Sequence, residues 1–348
     1  MAQLSDQRMA KSSACIIRSM TKSERVAAAL SRRPVDRPPV AFWRHVPEVD
    51  HTARGLADAM LAFHRRWDLD LIKVMSSGVY CVEDWGCEVA YTGAVNGAKQ
   101  CTRHAVQKRA DWARIKTLDA GAGALGRELE AVRLIVRGRV DDAPVLHTLF
   151  SPLTIARKLA GDRVASDLRE EPDAVTPALE AIGETVARYA AASIEAGAEG
   201  IFFATQAANP DSFTREEHDR FDLIHVRRIL RFVQGRSRLT MLHAHGDLPY
   251  LDAFTGVSIH AINWHDRTTS PTLAAAARQF SVALVGGLNQ QQTLRKGTPA
   301  AIATETADAI AQTDGVGLIV GPGCVLPLDA PDANLEAVVK TVKDHRAS

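Results

Sequence analysis

The sequence of 348 residues is short of aromatic side chains, at 5%, and holds no unbroken apolar run of the roughly 18 residues a membrane span needs. The first shortage argues against an aromatic-rich β-sandwich, and the second against a transmembrane helix. Charge of one sign is also missing. Forty-two Lys and Arg against 41 Asp and Glu leave a formal charge of +1, so no global field recruits nucleic acid or an anionic membrane. Basic pairs such as Arg65-Arg66 and Arg227-Arg228 fall within helical patterns and read as solvated faces. The five cysteines, Cys15, Cys81, Cys87, Cys101 and Cys324, are odd in number and show no CxxC or disulfide-like spacing, which points to a reducing, cytoplasmic setting. The N-terminus has neither a long apolar core nor an Ala-x-Ala site, so no secretory signal is expected. A Walker loop, a GxGxxG after a strand, a Gly-x-Ser-x-Gly elbow and His-Glu-x-x-His are all absent, which removes the working parts of nucleotide, serine-hydrolase and zincin chemistry.

What is present is a rhythm. Hydrophobic residues make up 46% of the chain, and from residue 39 onward short β-branched or apolar runs alternate with longer Ala/Leu/Arg segments of helical period. That alternation predicts a parallel sheet covered by helices, an α/β fold best satisfied by a (β/α)₈ TIM barrel, with an open doubly wound sheet as the alternative. Eight strands are expected at 39–45, 71–76, 145–150, 200–205, 239–243, 261–264, 282–286 and 317–320. Residues 1–19 read as a flexible tail and 20–348 as a single domain, opened by a capping box in which Thr21 and Glu24 start a helix to about Leu30. Residues 79–119 break the rhythm and suggest an inserted loop or hairpin over the barrel mouth.

The side chains able to do chemistry follow the strands, where βα loops converge in such barrels. His243 and His245 are alternate residues at the end of the fifth strand, so both imidazoles face one point, an arrangement that suits a metal as well as simple hydrogen bonding. Cys324 lies in Gly321-Pro322-Gly323-Cys324, directly after the last strand, where glycines let the backbone turn a thiolate over the mouth. Three N/S ligands with one open position describe a catalytic zinc. Asp266, after Trp264-His265, is a candidate to orient a ligand or act as a base, with helix capping as its competing role. Arg44, His45 and Lys73 are candidates for an anionic substrate group, although Lys73 could instead pair with Asp70 or Asp84. Tyr80, Gln206, His265 and Asn289 complete the expected lining of a small-molecule pocket.

Several short stretches carry a family resemblance. They are Thr21-Lys22-Ser23-Glu24-Arg25-Val26, Pro34-Val35-Asp36-Arg37-Pro38-Pro39, Ser151-Pro152-Leu153-Thr154, Ala196-Gly197-Ala198, Leu242-His243, Gly286-Gly287-Leu288 and Gly321 to Pro327 with Asn334. Together they resemble the uroporphyrinogen decarboxylase superfamily over nearly the whole chain from Met20. The resemblance implies a (β/α)₈ barrel and one of two chemistries: cofactor-free decarboxylation of a tetrapyrrole, or zinc-dependent methyl transfer between a corrinoid protein and a thiol. Decarboxylases of the family carry an arginine-rich loop where this chain reads Ala41-Phe42-Trp43-Arg44-His45, and a Gly-His-Gly where it reads Gly323-Cys324. The methyltransferase branch uses a His-x-Cys pair and a later Pro-Gly-Cys cysteine as zinc ligands, and His243, His245 and Cys324 stand at those places. Histidine in place of the middle cysteine makes the implied site harder. The expectation is therefore a zinc-dependent methyltransferase or demethylase with catalytic residues His243, His245, Asp266 and Cys324. A zinc-dependent lyase, hydrolase or decarboxylase on a small carboxylated or aromatic substrate stands second, and a non-catalytic binding barrel third. The resemblance also implies a homodimer.

Overall fold

The computed structural model describes residues 18–345, so most of the expected tail at 1–19 lies outside the described residues. Seven parallel strands form one sheet: β1 (Ile72–Val74), β4 (Val145–Phe150), β5 (Gly200–Thr205), β6 (Leu239–Ala244), β7 (Ala261–Asn263), β8 (Ala283–Leu288) and β9 (Leu318–Pro322). They neighbour one another in chain order, without the reversal that a doubly wound sheet requires. Every residue of these seven strands is buried, as expected for a parallel sheet with helices outside and packed side chains inside.

The eighth position differs from the sequence expectation. Residues 39–45 form no strand beyond a single parallel bridge between Val40 and Val320, yet they close the ring. The Ala41 N–H donates to Val320 O at 2.9 Å, the Val320 N–H donates to Pro39 O at 2.8 Å, and on the other side the Asp70 N–H donates to Val40 O at 2.9 Å. Three prolines at 34, 38 and 39 remove the donors a longer ladder would need. The seam is held by charge instead. The buried Asp70 carboxylate accepts from Arg25 Nη1 at 2.6 Å, Arg37 Nη1 at 2.7 Å and the Val40 N–H at 2.8 Å. Arg25 also reaches Asp36 at 2.7 Å, so the Pro34–Pro39 stretch and the first helix, Lys22–Leu30, are bound to the same buried acid. That helix has the expected capping box, with Thr21 Oγ1 accepting from the Glu24 N–H at 3.2 Å and Glu24 Oε2 from the Thr21 N–H at 3.0 Å.

Residues 80–114 form the expected insertion: two 3₁₀ segments, Tyr80–Trp85 and Arg109–Arg114, around an antiparallel hairpin of β2 (Glu88–Ala90) and β3 (Gln100–Arg103). The hairpin turn reaches the strand ends. The Leu328 N–H donates to Val95 O at 2.8 Å, and a Cβ at Gly97 would lie 2.9 Å from His45 Cβ. One continuous apolar core, from Val26 to Val342, joins barrel, helices and insertion. No helix of the described residues is long and apolar enough to cross a membrane.

Candidate metal centre

Four side chains from the ends of β6, β7 and β9 meet at the C-terminal end of the barrel. His243 is the penultimate residue of β6, His245 follows that strand, His265 stands two residues beyond β7, and Cys324 two residues beyond β9. One donor atom from each lies within 4.8 Å of every other. The Cys324 Sγ is 3.8 Å from His243 Nε2 and 3.6 Å from His245 Nδ1. The His245 and His265 rings meet edge to face, 5.0 Å between centroids.

Two features of the backbone make this convergence possible. Register pairs His243 with Asn263 on β7, so their side chains rise side by side. Gly323 lets the last loop fold against β7: a Cβ there would sit 2.9 Å from both Trp264 O and His265 Cα, and its N–H donates to Leu288 O at 3.2 Å. Any larger residue would drive Cys324 off the cluster.

Asn263 decides which nitrogen of His243 is free. Its Nδ2 donates to Val285 O at 2.8 Å and Pro322 O at 3.1 Å, which orients the amide so that Oδ1 faces His243 Nδ1 at 2.6 Å. An amide oxygen only accepts, so Nδ1 carries the proton and Nε2 presents a lone pair to Cys324. Burial pushes the His243 pKa well below its ordinary value, with His245 and His265 adding repulsion; burial likewise lowers His245 to about 4 and also lowers His265. All three are neutral at pH 7, the form that ligates a metal. Burial raises the Cys324 thiol, while Lys73 pulls it down.

Lys73 is the unusual member of the surroundings. Sequence offered Asp70 or Asp84 as partners, but Asp70 is engaged by Arg25 and Arg37, and Asp84 caps the helix Gly123–Gly138 by accepting from the Ala124 N–H at 2.9 Å. Lys73 Nζ lies over the Phe202 ring at 4.2 Å, beside Met75 Sδ at 2.9 Å. Burial lowers its pKa to about 7, and the Cys324 thiolate is the group that opposes this. Phe202 also stacks on His243, 5.5 Å between ring centres, so Lys73 and the cluster share one aromatic wall. His45 is buried under the hairpin turn with Nδ1 unpartnered, and burial together with Lys73 and Lys158 lowers its pKa to about 3.

The other expected site residues are engaged by other protein groups. Asp266 turns from the cluster to β8, where both carboxylate oxygens accept from the Gly287 N–H at 3.0 and 3.1 Å, in space that a side chain at Gly286 would fill. Burial raises its pKa to about 7. Asn289 accepts from the N–H groups of Gln291 and Gln292, closing its own turn. Tyr80 packs on Tyr189 of the helix Pro172–Glu195 and donates its hydroxyl to Thr148 O at 2.6 Å, outside the barrel mouth. Arg44 lies over Phe63 of the helix Ala53–Trp67, and Gln206 accepts from Lys158 Nζ at 2.8 Å. His265, expected to touch substrate, stands among the possible ligands instead. Asn263 went unnoticed in the sequence; the available signal was a lone amide inside the apolar run Ala261–Trp264, level with His243. A surface groove of about 950 Å³, lined by Arg188, Ile224 and Phe232 on the outer helices, touches none of these residues.

The family model described as uroporphyrinogen decarboxylase (URO-D) matches residues 21–345. The chain is 25% identical to a methylcobamide:CoM methyltransferase, MtbA, of Methanosarcina mazei, over 94% of this chain and 98% of that one. It is 24% identical to the methylcobamide:CoM methyltransferase MtaA of Methanosarcina barkeri, over 94% and 99%. A uroporphyrinogen decarboxylase of an Enterobacter species is 27% identical, over 94% and 98%. Among solved structures, a methyltransferase from Methanosarcina mazei superposes with a TM-score of 0.81 at 23% identity, covering 94% of this chain and 99% of that one, which establishes the shared barrel fold.

Proposed function

The chain belongs to the uroporphyrinogen decarboxylase family, and within it we propose a zinc-dependent methyltransferase or demethylase that moves a methyl group between a corrinoid, carried by a partner protein, and a small thiol. Overall identity does not separate the two chemistries of the relatives, since 27% to a decarboxylase and 25% to a methyltransferase are equivalent. The observation that carries the reading is Cys324 facing His243 Nε2 and His245 Nδ1 at 3.8 and 3.6 Å.

The residues fit zinc. Nitrogen and sulfur donors converge from strand ends, the buried His265 Nε2 has no hydrogen-bond partner, and Asn263 fixes the His243 tautomer in the way a supporting carbonyl does at metal sites. His243, His245 and Cys324 would hold the ion, with His265 beside the remaining position. Bound there, zinc supplies Lewis acidity that makes a nearby thiol a nucleophile at neutral pH. The chain's own groups do the rest. His265, neutral at pH 7, accepts the proton that the incoming thiol gives up. Lys73 is buried and Lys158 half-buried, and neither has a carboxylate partner among the described residues, so an acceptor carrying an anionic group is favoured. The Gly97 turn packs closely on His45. The sulfur electron pair then attacks the methyl carbon, and the pair of the carbon–cobalt bond stays with the cobalt.

A lyase or hydrolase acting on a small carboxylated or aromatic substrate is the second reading. It is favoured by the donor set, three histidines to one cysteine, which is harder than a thiolate-rich site. Incubation of zinc-loaded protein with methylcobalamin and anionic thiols separates the two: methylated thiol supports transfer, and product formed from a carboxylated substrate without corrinoid supports the second reading.

A further inference from the structure

We propose that Cys87, Cys101 and His104 form a second metal site, for zinc or another thiophilic divalent cation, which clamps the inserted hairpin beside the barrel mouth. The three donors belong to the hairpin, Cys87 just before β2, Cys101 within β3 and His104 just after it. One donor atom of each lies within 4.8 Å of the others, and these cysteines are free thiols.

An irregularity in the pairing creates the cluster. Val89 pairs with Cys101, but Glu88 pairs with Arg103, so β3 carries one extra residue, Thr102. Continued by one residue, the shifted register sets Cys87 opposite His104 while Cys101 stays beside both. Bulges of this kind re-aim side chains at functional sites. In an unbulged hairpin His104 would point to the opposite face from Cys87 and Cys101.

The surroundings suit a thiolate centre. The Ala105 N–H donates to Cys87 Sγ at 3.4 Å, as backbone amides do at metal thiolates. His104 Nδ1 is 2.9 Å from Lys158 O, which registers the imidazole on the helix Pro152–Ala160. Gly161, at the end of that helix, leaves the space the imidazole occupies: a Cβ there would be 3.2 Å from His104 Nε2. When a divalent cation binds, two protons leave the thiols, two thiolates neutralise the ion, and the neutral imidazole completes three ligands with a fourth place for water.

The consequence is mechanical. The cluster ties the base of the hairpin to a helix that begins at the barrel mouth, and the Gly97 turn of the same hairpin covers His45.

Metal-free, reduced protein titrated with Zn²⁺ against a chromophoric chelator tests this. Wild type is expected to bind two ions per chain. Cys87→Ser/Cys101→Ser and His104→Gln should each lose one site or weaken it about 100-fold, and His243→Ala/Cys324→Ala should lose the other. With Co²⁺, the sulfur-to-cobalt absorption of the His243→Ala/Cys324→Ala protein should persist, which needs no hairpin variant to fold. One ion per chain, unaffected by the hairpin changes, overturns the proposal. So does a Cys87–Cys101 disulfide found by thiol counting in denaturant. Chelation should also speed proteolytic cutting within residues 91–99, and an unchanged rate contradicts the clamp.

Discussion

His243 Nδ1 lies 2.6 Å from Asn263 Oδ1, and the Asn263 amide is itself held by two backbone carbonyls, so the tautomer of the candidate ligand is set by a neighbouring strand. The relationship turns a buried imidazole into a donor aimed at Cys324. Asn263→Leu removes the acceptor and leaves the ring free to flip. Zinc affinity at the barrel mouth is expected to fall about 10- to 100-fold, measured by chelator competition, while Asn263→Asp retains more of it. Equal affinity in wild type and Asn263→Leu would contradict the assignment.

Gly323 admits the Cys324 loop to within van der Waals range of His265. Gly323→Ala places a methyl 2.9 Å from Trp264 O and displaces the loop. Binding at the barrel mouth should weaken by at least tenfold with the fold intact by circular dichroism. Unchanged affinity would show that Cys324 is not a ligand.

Lys73 is buried with its pKa lowered from 10.5 to about 7. Between those values the unfolded chain holds a proton that the folded chain lacks, so stability rises with pH from about 7 to 10.5 and is lost as pH falls through 7. Lys73→Met should stabilise metal-free protein at pH 7 and flatten that rise. Denaturant midpoints at pH 7 and pH 9 check it; a rise as steep in Lys73→Met as in wild type would assign it to other groups. If Lys73 also binds the anionic acceptor, KM for the thiol rises in the variant.

Asp266 latches the loop after β7 to the Gly287 N–H. Asp266→Ala leaves that buried donor unpaired and should cost about 1–3 kcal/mol of stability. Zinc content should stay unchanged. Loss of metal with stability preserved would return Asp266 to the ligand-supporting role expected from sequence.

Much of this was legible in the chain. The strands β4 and β5 lie where the alternation of apolar runs put them, because a parallel strand buried on both faces has a continuous apolar signature. His243, His245 and Cys324 were brought together by their places after strands. What escaped was set by partners distant in sequence. Pro39 to His45 reads as a strand by composition, yet it makes one bridge beside the prolines at 34, 38 and 39, and the Asp70 ion network closes the ring. Asp266 and Asn289 carry ligand-like side chains, but nearby backbone amides claim them. Asn263 and the Thr102 bulge depend on register, which residue type alone does not reveal.

The most direct test of the account is the demethylation of methylcobalamin, followed by its absorbance change, in the presence of an anionic thiol and one equivalent of zinc at the barrel mouth. Turnover should require the metal and fall by at least 100-fold in Cys324→Ala and in His243→Ala, with methylated thiol as the product. Metal-free protein, or the Cys324→Ala variant, transferring methyl groups as fast as the zinc-loaded wild type would contradict it.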